Sequence, residues 1–467
     1  MARAKVIAVL LGPEGMGVVG IVDQMVLVVM NLSAFSLPLS ALTVLSRSYR
    51  AGPAAFEQTY LTFLAVLSAL ALAGTAGAVA LVATRSSLLG QSLFQYQPVL
   101  ILGLLCVPAL AVSTFGASVL AAAQRAQQSA VVAAGSATAL FLAAVLGVPA
   151  GGIEGLYLIS LIVGILVAGA ISVHLHRCLR LPLFHGRISV AAELRRHPHL
   201  IFYCVSYFLV AFAYPLAWLV ARQAVLDQYG EAEAGRLQAL IALVVGFGTV
   251  LRPINTQLLL PLVSGPGDTG RKFRDTVGAQ RRLTVSLTLL AMPLVLFPRP
   301  ILALLYSKAF TTASPFLHLL VAAEVILILG GTYQVLVLGM HDMRGWALPY
   351  FLGYASLGVL AWRLGPRHGI PGIALAAIVS SLVIFGLGLW RLRRYHGFRL
   401  PGRLLGLIIV ALVAILGGGM ACARYDDGSV LALLVKVAAL FLFAPALARC
   451  LDKQDRAWIY HLLTRSS

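Results

Sequence analysis

The sequence alternates long apolar stretches with short clusters of charged residues. Many of these stretches approach or exceed the roughly 20 residues that a helix needs to cross about 30 Å of hydrocarbon. The residue-by-residue alternation of a membrane barrel is not seen in the sequence. The pattern therefore predicts an all-α, polytopic membrane protein. After a partial helical segment at 1–11, the predicted spans are 17–46, 58–83, 97–123, 127–148, 153–175, 200–226, 235–262, 283–298, 312–340, 346–362, 370–390, 404–422 and 429–448.

Basic residues between the spans predict the orientation of the chain. When the partial segment is counted as a helix, 23 of the 35 Lys and Arg residues fall on one side of the membrane, seven on the other and five within spans. Loops rich in Lys and Arg stay in the cytoplasm, so the first side is cytoplasmic. Both termini are then cytoplasmic, which requires an even number of helices and favours fourteen.

Composition excludes several other classes of protein. The chain is 60% apolar and 11% charged, with a mean hydropathy of +0.93, which is incompatible with an ordinary soluble globule. Its net charge of +19 is explained by the loops, so no nucleic-acid partner is expected. The five cysteines are far apart and no metal-ligand spacing or catalytic grouping is recognisable. We therefore expect no cofactor and no metal. We also expect the protein to be a transporter rather than an enzyme.

Two pairs of glycine motifs reveal an internal repeat. The spacing of Gly12 and Gly17 returns in Gly230 and Gly235, displaced by 218 residues, and the motif G-I-x-G at 152–155 returns at 369–372, displaced by 217. An offset of six helices keeps the orientation, so the pattern predicts two six-helix lobes in parallel repeat around a central cavity, plus two C-terminal helices. The predicted domains are the N-terminal lobe at 1–175, a basic cytoplasmic linker at 176–199, the C-terminal lobe at 200–395, and helices 13 and 14 with a cytoplasmic tail at 396–467.

The repeat also predicts that the first helix is truncated. About 30 residues separate Leu200 from Gly230, whereas 11 residues precede Gly12. The first half of helix 1 is then missing, as expected from a mis-started reading frame.

Several motifs in order resemble Wzx-type polysaccharide flippases of the multidrug/oligosaccharidyl-lipid/polysaccharide (MOP) exporter superfamily. The resemblance covers about residues 1–395, and the two helices beyond the usual twelve depart from it. The motifs are KVIAVLLGPEGMG at 5–17, the pair Arg222 and Gln223, AGRLQA at 234–239, LPLVS at 260–264 and LLYSKAF at 304–310.

The resemblance implies a function in lipopolysaccharide or exopolysaccharide biosynthesis at the bacterial inner membrane. Such flippases move an undecaprenyl-diphosphate-linked oligosaccharide from the cytoplasmic to the periplasmic leaflet by alternating access, through a cavity lined by the first two helices of each lobe. The implied partners are the lipid-linked anionic oligosaccharide, membrane lipids and other polysaccharide-assembly proteins.

Arg252 is the first candidate for substrate binding. A charge inside a span costs about 2.5 to 3.5 kcal/mol on insertion, so it marks a functional position by default. Arg252 shares a helical face with Gly248 and Asn255, and its guanidinium suits a diphosphate. The alternative is a structural ion pair with Asp23 or Glu324.

Two intramembrane carboxylates are candidates for coupling transport to a proton or cation. Asp23 shares a face with Asn31, eight residues on, and could pair with Arg252 or Lys5 when the cavity is empty. Its alternative is a hydrated residue near the outer surface. Glu324 lies in the middle of an apolar span and is the second coupling candidate.

Asn255 and Asn31 are also substrate-binding candidates, and the remaining ones lie on the first helix of each lobe. Tyr214, Trp218 and Arg222 recur every four residues, followed by Gln223, and such a stripe can stack on sugar rings. The alternative is helix packing with an interfacial aromatic belt. Arg3 and Lys5 would line the same cavity, or else form a basic flank exposed by truncation.

Two other functions remain open at this point. A cation-coupled drug exporter of the same superfamily would depend on Asp23 and Glu324 rather than on Arg252. A membrane glycan polymerase or ligase would need a large outer loop with catalytic Arg or His residues, and the longest predicted outer loop, 84–96, is short.

Overall fold

A computed structural model of the chain describes residues 2–84, 95–181, 190–196, 199–253, 255, 259–264, 268–425 and 436. All regular elements in these ranges are helices. The predicted fourteenth span at 429–448 lies outside the described residues apart from Lys436, and so do most of the predicted outer loop at 84–96 and part of the linker at 176–199.

Within the described ranges, eight helices are long and apolar enough to cross a membrane, and a bent pair of helices gives a ninth. The apolar windows of the eight helices have mean hydropathies between 1.7 and 2.6. Two of these helices are 53 and 54 residues long, and each covers all or most of two predicted spans. The prediction of an all-α, multi-pass membrane protein is therefore confirmed.

The chain divides into two compact units, residues 2–235 and 236–467. The predicted lobe boundaries follow the sequence repeat instead and remain a prediction. The first unit contains α1 (Ala2–Ala34), α2 (Leu37–Ala51), α3 (Pro53–Thr84), α4 (Gln97–Leu105), α5 (Val107–Ala122), α6 (Ala126–Leu179), α7 (Val190–Arg196) and the first part of α8 (Leu200–Pro253). The second contains the rest of α8, then α9 (Leu260–Ser264), α10 (Thr269–Leu296), α11 (Pro298–Leu305), a 3₁₀ helix (Lys308–Phe316), α12 (Leu317–Gly339), α13 (Met343–His368), α14 (Ile370–His396) and α15 (Gly402–Tyr425).

Glycines separate the spans that share one long helix. The helical path of α1 is broken at Gly12 (φ 67°), that of α6 at Gly152 (φ 60°) and that of α8 at Gly230 (φ 82°), while Gly369 (φ 58°) separates α13 from α14. A positive φ is accessible to glycine without the steric cost of a Cβ, so these residues can interrupt a helix. The breaks coincide with the boundaries predicted between neighbouring spans.

The repeat seen in the sequence extends to the backbone. Gly12 and Gly230 have ψ angles of −169° and 179°, and Gly152 and Gly369 have ψ angles of −135° and −136°. Contacts repeat as well. A Cβ on Gly155 would collide with the carbonyl of Gly147, and one on Gly372 would collide with the carbonyl of Leu364; 147 and 364 are again 217 apart. Corresponding glycines therefore make corresponding turns.

Two predicted spans are not continuous helices. The span 17–46 is divided at Phe35 and Ser36, whose φ angles are 47° and 51°, two residues before α2 takes in Pro38. The span 97–123 corresponds to one membrane-crossing length, Gln97–Ala122, in which a turn at Cys106 separates α4 from α5 and its Pro108. A proline inside a helix removes a backbone hydrogen bond and clashes with the preceding turn. Apolar length alone does not locate such interruptions, which these prolines mark.

Within the second unit, α12 is the most enclosed apolar helix. In the apolar stretch that the 3₁₀ helix and α12 form together, Lys308–Gly339, 78% of the 18 residues used to test for a membrane span are buried. The corresponding share in α3 of the first unit is 22%. Tyr333 and Leu336 of α12 pack with Leu392 and Phe398 in one core cluster. A carboxylate placed on such a helix needs a partner, because an unpaired buried charge is costly.

Candidate functional site

An ion pair joins the two segments of α1. Arg3 precedes the break at Gly12 and Asp23 follows it. The Arg3 Nη1 and Nη2 atoms donate to the two carboxylate oxygens of Asp23 at 2.5 and 3.0 Å. Such a bidentate pair fixes both the distance and the relative orientation of the side chains. Asp23 therefore pairs here with Arg3, whereas Lys5, two residues further along the helix, is exposed.

Tyr157 of α6 completes this cluster. Its hydroxyl lies 2.8 Å from Oδ1 of Asp23 and 3.2 Å from the carbonyl of Val19, so it can donate its single proton to either oxygen. A lone tyrosine in an apolar stretch carries no periodic signal, so sequence reasoning missed it. The three side chains hold a carboxylate and a cation together, with about a quarter of the Arg3 side chain exposed.

A second cluster begins at the next residue of α1. The Oε1 atom of Gln24 accepts a hydrogen bond from Arg222 at 2.9 Å, and its Nε2 donates to the carbonyl of Pro215 at 2.9 Å. Arg222 is 4% exposed and also donates to the carbonyl of Trp218 at 3.1 Å. Gln24 was missed by sequence reasoning, although an amide beside Asp23 in an apolar span was a usable signal. Arg222 is therefore enclosed by protein groups.

The aromatic stripe on α8 contacts Arg222, the cation at its end. The guanidinium of Arg222 lies 5.8 Å from the ring centroid of Trp218, within the range of a cation–π contact. Tyr214, two turns before Arg222, is half-buried and interacts electrostatically with that cation. These contacts correspond to the alternative interpretation of the stripe as helix packing.

Two further candidates bond locally. Gln223 donates to Asp227 at 2.7 Å, one turn later on α8. Asn31 donates to the carbonyl of Leu27 at 2.8 Å, on its own helix. Neither bond connects these side chains to the Arg3–Asp23 cluster, so the shared face of Asp23 and Asn31 does not bring the two into one group.

In the second unit, Arg252 of α8 pairs with Glu324 of α12. Both Nε and Nη2 of Arg252 lie within 3.0 Å of the Oε1 atom of Glu324. The arginine side chain is 38% exposed, whereas the glutamate side chain is 7% exposed. A Cβ on Gly248 would collide with the Oε1 atom of Glu324. The predicted face of Gly248 and Arg252 is thus the face that packs against Glu324.

Asn255 anchors the end of the same helix. Its Nδ2 donates to the carbonyl of Ile328 at 3.2 Å, and its Oδ1 accepts from the hydroxyl of Thr332 at 3.2 Å. Asn255 has π-helical geometry, which interrupts the regular helix just after Pro253. The residue is buried, and its amide ties this region to α12.

The two turns of the first repeat motif contact each other within the first unit. A Cβ on Gly17 would collide with the carbonyl of Glu231, and a Cβ on Gly235 would collide with the carbonyl of Pro13. The side chain of Glu231 also accepts hydrogen bonds from Tyr96 at 2.8 Å and from Gln95 at 2.9 Å. Burial and the Glu231 hydrogen bond raise the pKa of Tyr96 to about 12, so the hydroxyl stays a donor well into the alkaline range.

The charged groups form pairs rather than a metal cage. Among the residues that the structure describes, no group of three or more His, Cys, Asp or Glu side chains is arranged to hold a metal ion. The two ion pairs each combine a partly exposed guanidinium with a carboxylate. Such a guanidinium can exchange its carboxylate partner for another anion that reaches it.

Neither a known family pattern nor a curated protein sequence matches the chain. Solved structures do. The lipid II flippase MurJ, in an inward closed conformation, has a TM-score of 0.71 at 13% identity over 96% of this chain and 94% of its own. The MATE multidrug transporter DinF-BH, in a ligand-bound complex, has a TM-score of 0.62 at 18% identity over 85% and 91%. The Vibrio cholerae MATE transporter VcmN in its bent form has a TM-score of 0.51 at 15% identity over 89% and 98%.

These proteins are transporters of the MOP superfamily. At such low identity the similarity concerns the fold, and it extends over most of both chains in each case. The chain is a multi-pass membrane protein with the fold of the MurJ and MATE transporters.

Proposed function

We propose that this chain flips an undecaprenyl-diphosphate-linked oligosaccharide, such as an O-antigen or exopolysaccharide repeat unit, across the bacterial inner membrane by alternating access. The two lobes around a central cavity are part of this proposal. A flippase for a lipid-linked substrate is among the proteins that share the fold, and the sequence motifs resemble Wzx-type flippases.

The observation that carries the proposal is the partly exposed guanidinium of Arg252 on a membrane-spanning helix. Arg222 is enclosed, whereas more than a third of the Arg252 side chain is exposed. A diphosphate oxygen would compete with Glu324 for the same donors. The ligand would thus replace an internal anion rather than meet an isolated cation.

The carboxylates supply a route to coupling. When an anionic headgroup takes Arg252, Glu324 loses its partner in an enclosed position, where an uncompensated charge is costly. A proton or cation taken up by Glu324 would remove that cost. Arg3 and Asp23 could act in the same way in the first unit.

Arg252→Ala tests the proposal by removing the guanidinium. A hydrogen bond to a charged group contributes about 1.5 to 3 kcal/mol, so glycan transport should fall roughly tenfold or more. The measurement is flipping of a lipid-linked oligosaccharide in proteoliposomes, with glycan export in cells as a second readout. Arg252→Ala combined with Glu324→Gln avoids an unpaired carboxylate and should transport equally poorly while folding well.

Arg363 provides a matched control, because it is exposed on α13 and lies over Trp362, with 4.9 Å between its guanidinium carbon and the ring centroid. Arg363→Ala should transport normally. Normal glycan transport by Arg252→Ala and by Arg252→Glu would overturn the flippase proposal.

A cation-coupled drug exporter is the second candidate function. It is favoured by the similarity to the multidrug transporter DinF-BH and by the intramembrane carboxylates Asp23 and Glu324. In this case Asp23→Asn and Glu324→Gln would abolish drug efflux, whereas Arg252→Ala would leave it unchanged.

A further inference from the structure

A buried polar network lies at one end of the first unit, away from both charge clusters on α1. Ser48 of α2 lies 2.9 Å from the hydroxyl of Thr59 on α3, and Thr59 donates to Glu193 of α7 at 3.3 Å. Arg196 donates to Glu193 at 3.1 Å and to Gln58 at 3.1 Å. Glu193 is 1% exposed, so the network fixes α7 against α3.

A positively charged pocket opens on one side of this network. It has a volume of about 540 Å³, and its lining includes Arg47, Gln58, Thr59 and Arg196. Arg47 is exposed, and half of the Arg196 side chain is accessible. Two arginines line the pocket, and one carboxylate, Glu193, pairs with Arg196. Positive charge therefore exceeds negative charge. Its chemistry suits a phosphate group with hydroxyl or amide neighbours.

Glu193 also lines a largely apolar cavity of about 290 Å³. Leu37, Phe63, Val66, Leu70 and Ile201 are among the residues that form its walls, contributed by α2, α3 and α8. Along α3 the cavity extends from Thr62 to Leu70, about 12 Å at 1.5 Å per residue. That length is close to the roughly 15 Å of hydrocarbon in one leaflet.

The pocket and the cavity follow one another along the same helices. Gln58 and Thr59 line the pocket, and Thr62 and Val66 line the cavity one and two turns later on α3. The charged compartment and the apolar one are thus one helical turn apart on α3. The order matches a lipid, whose phosphate is joined to hydrocarbon, better than it matches a free anion or a peptide. An apolar cavity excludes water, so in a membrane protein a hydrocarbon chain is its natural occupant.

We propose that this pair of compartments binds one anionic phospholipid, with its phosphate between Arg47 and Arg196 and an acyl chain in the cavity beside Val66 and Leu70. The basic residues of α2 and α7 lie on the side predicted to be cytoplasmic, so the lipid comes from the cytoplasmic leaflet. The site does not depend on which substrate the chain transports.

The test uses the full chain, delipidated in detergent and titrated with short-chain phosphatidylglycerol. The thermal unfolding midpoint is measured during the titration, and retained lipid is measured by native mass spectrometry. Phosphatidylglycerol should raise the midpoint, whereas phosphatidylcholine and inorganic phosphate should not. Arg47→Ala leaves the buried network intact and should weaken binding about fivefold, and adding Arg196→Ala should weaken it about 30-fold at low salt.

Two matched controls separate the site from general effects. Arg393 is exposed at the end of α14, and Arg393→Ala should bind phosphatidylglycerol like the unaltered chain. Leu70→Trp fills the cavity and should reduce lipid retention, while Leu72→Trp, on an exposed position of the same helix, should not. The proposal is overturned if Arg47→Ala binds phosphatidylglycerol as tightly as the unaltered chain, or if both tryptophan variants retain equal lipid. It is also overturned if inorganic phosphate raises the thermal midpoint as much as phosphatidylglycerol does.

Discussion

At the scale of single residues, the sequence located charges more reliably than it located their partners. Asp23, Arg252 and Glu324 stand out because charges are rare inside apolar spans. Their partners depend on which helices pack together, and a single sequence carries little of that information. Arg3 and Tyr157 therefore appear around Asp23 only when α1 and α6 are in place.

Tyr157→Phe should destabilise the first unit by about 1.5 to 3 kcal/mol if its proton rests on Asp23, because a hydrogen bond to a charged group is lost. The measurement is the thermal unfolding midpoint in detergent. Tyr306→Phe is the matched control. Its buried hydroxyl has no hydrogen-bond partner among the described residues, so its removal should leave the midpoint unchanged or slightly higher. Equal effects of the two changes would show that Tyr157 serves packing alone.

At the scale of helices, the sequence predicted where spans lie, whereas the interruptions within them appear only in the structure. Apolar length marks where a helix crosses the membrane, and glycine motifs mark where neighbouring spans separate. The interruption after Ala34 follows from local backbone geometry around Pro38. Prolines also occur inside unbroken helices, such as Pro293 of α10, so the residue type alone does not decide continuity.

Gly17→Ala and Gly235→Ala should each destabilise the contact between the turns at Gly12 and Gly230. The added Cβ would meet a backbone carbonyl, which cannot rotate away as a flexible side chain can. We expect a loss of about 1 to 3 kcal/mol, measured as a lower thermal midpoint and as faster hydrogen exchange of both turns. Gly77→Ala on α3 has open space around the new methyl group and should be neutral or stabilising by up to about 1 kcal/mol. A uniform response of the three variants would contradict this expectation.

At the scale of the whole molecule, helix class and order were predictable because lipid imposes them. Every backbone group must be satisfied within its own segment, so apolar length reports directly on helices. The repeat was predictable because its glycines adopt a backbone conformation that other residues avoid. The partner of each charged side chain was not, because it depends on contacts between residues far apart in sequence.

The acid stability of the chain should depend on Asp342, between α12 and α13. Its carboxylate accepts from the Gly345 amide at 2.9 Å and from Arg391 at 2.7 and 3.0 Å. Burial raises the pKa of Asp342, but these hydrogen bonds and the nearby positive charges together lower it below its usual value. The stabilisation is therefore fully present above the unfolded-state pKa of about 3.9 and is lost as pH falls through the lower folded-state value.

Asp342→Asn should remove this part of the acid dependence, as measured by thermal midpoints between pH 5 and pH 2. Asp275→Asn is a suitable control, because Asp275 is 3.8 Å from Arg271 on a largely exposed helix face. If the midpoint of Asp342→Asn falls with pH as steeply as that of the unaltered chain, the carboxylate does not govern acid stability.

The reciprocal packing of Gly17 and Gly235 has the form of a self-complementary interface. Gly17 contacts the carbonyl of Glu231, and Gly235 contacts the carbonyl of Pro13. The two glycines are 218 residues apart, and so are the residues that carry the two carbonyls. Such reciprocal contacts are those expected of a two-fold symmetric dimer. A half-length ancestor could have paired with its own copy through the same surface. Fusion into one chain would then have released the halves to diverge, and the charges show that divergence: at the same displacement Asp23 corresponds to Ile241, and Arg252 to Ala34.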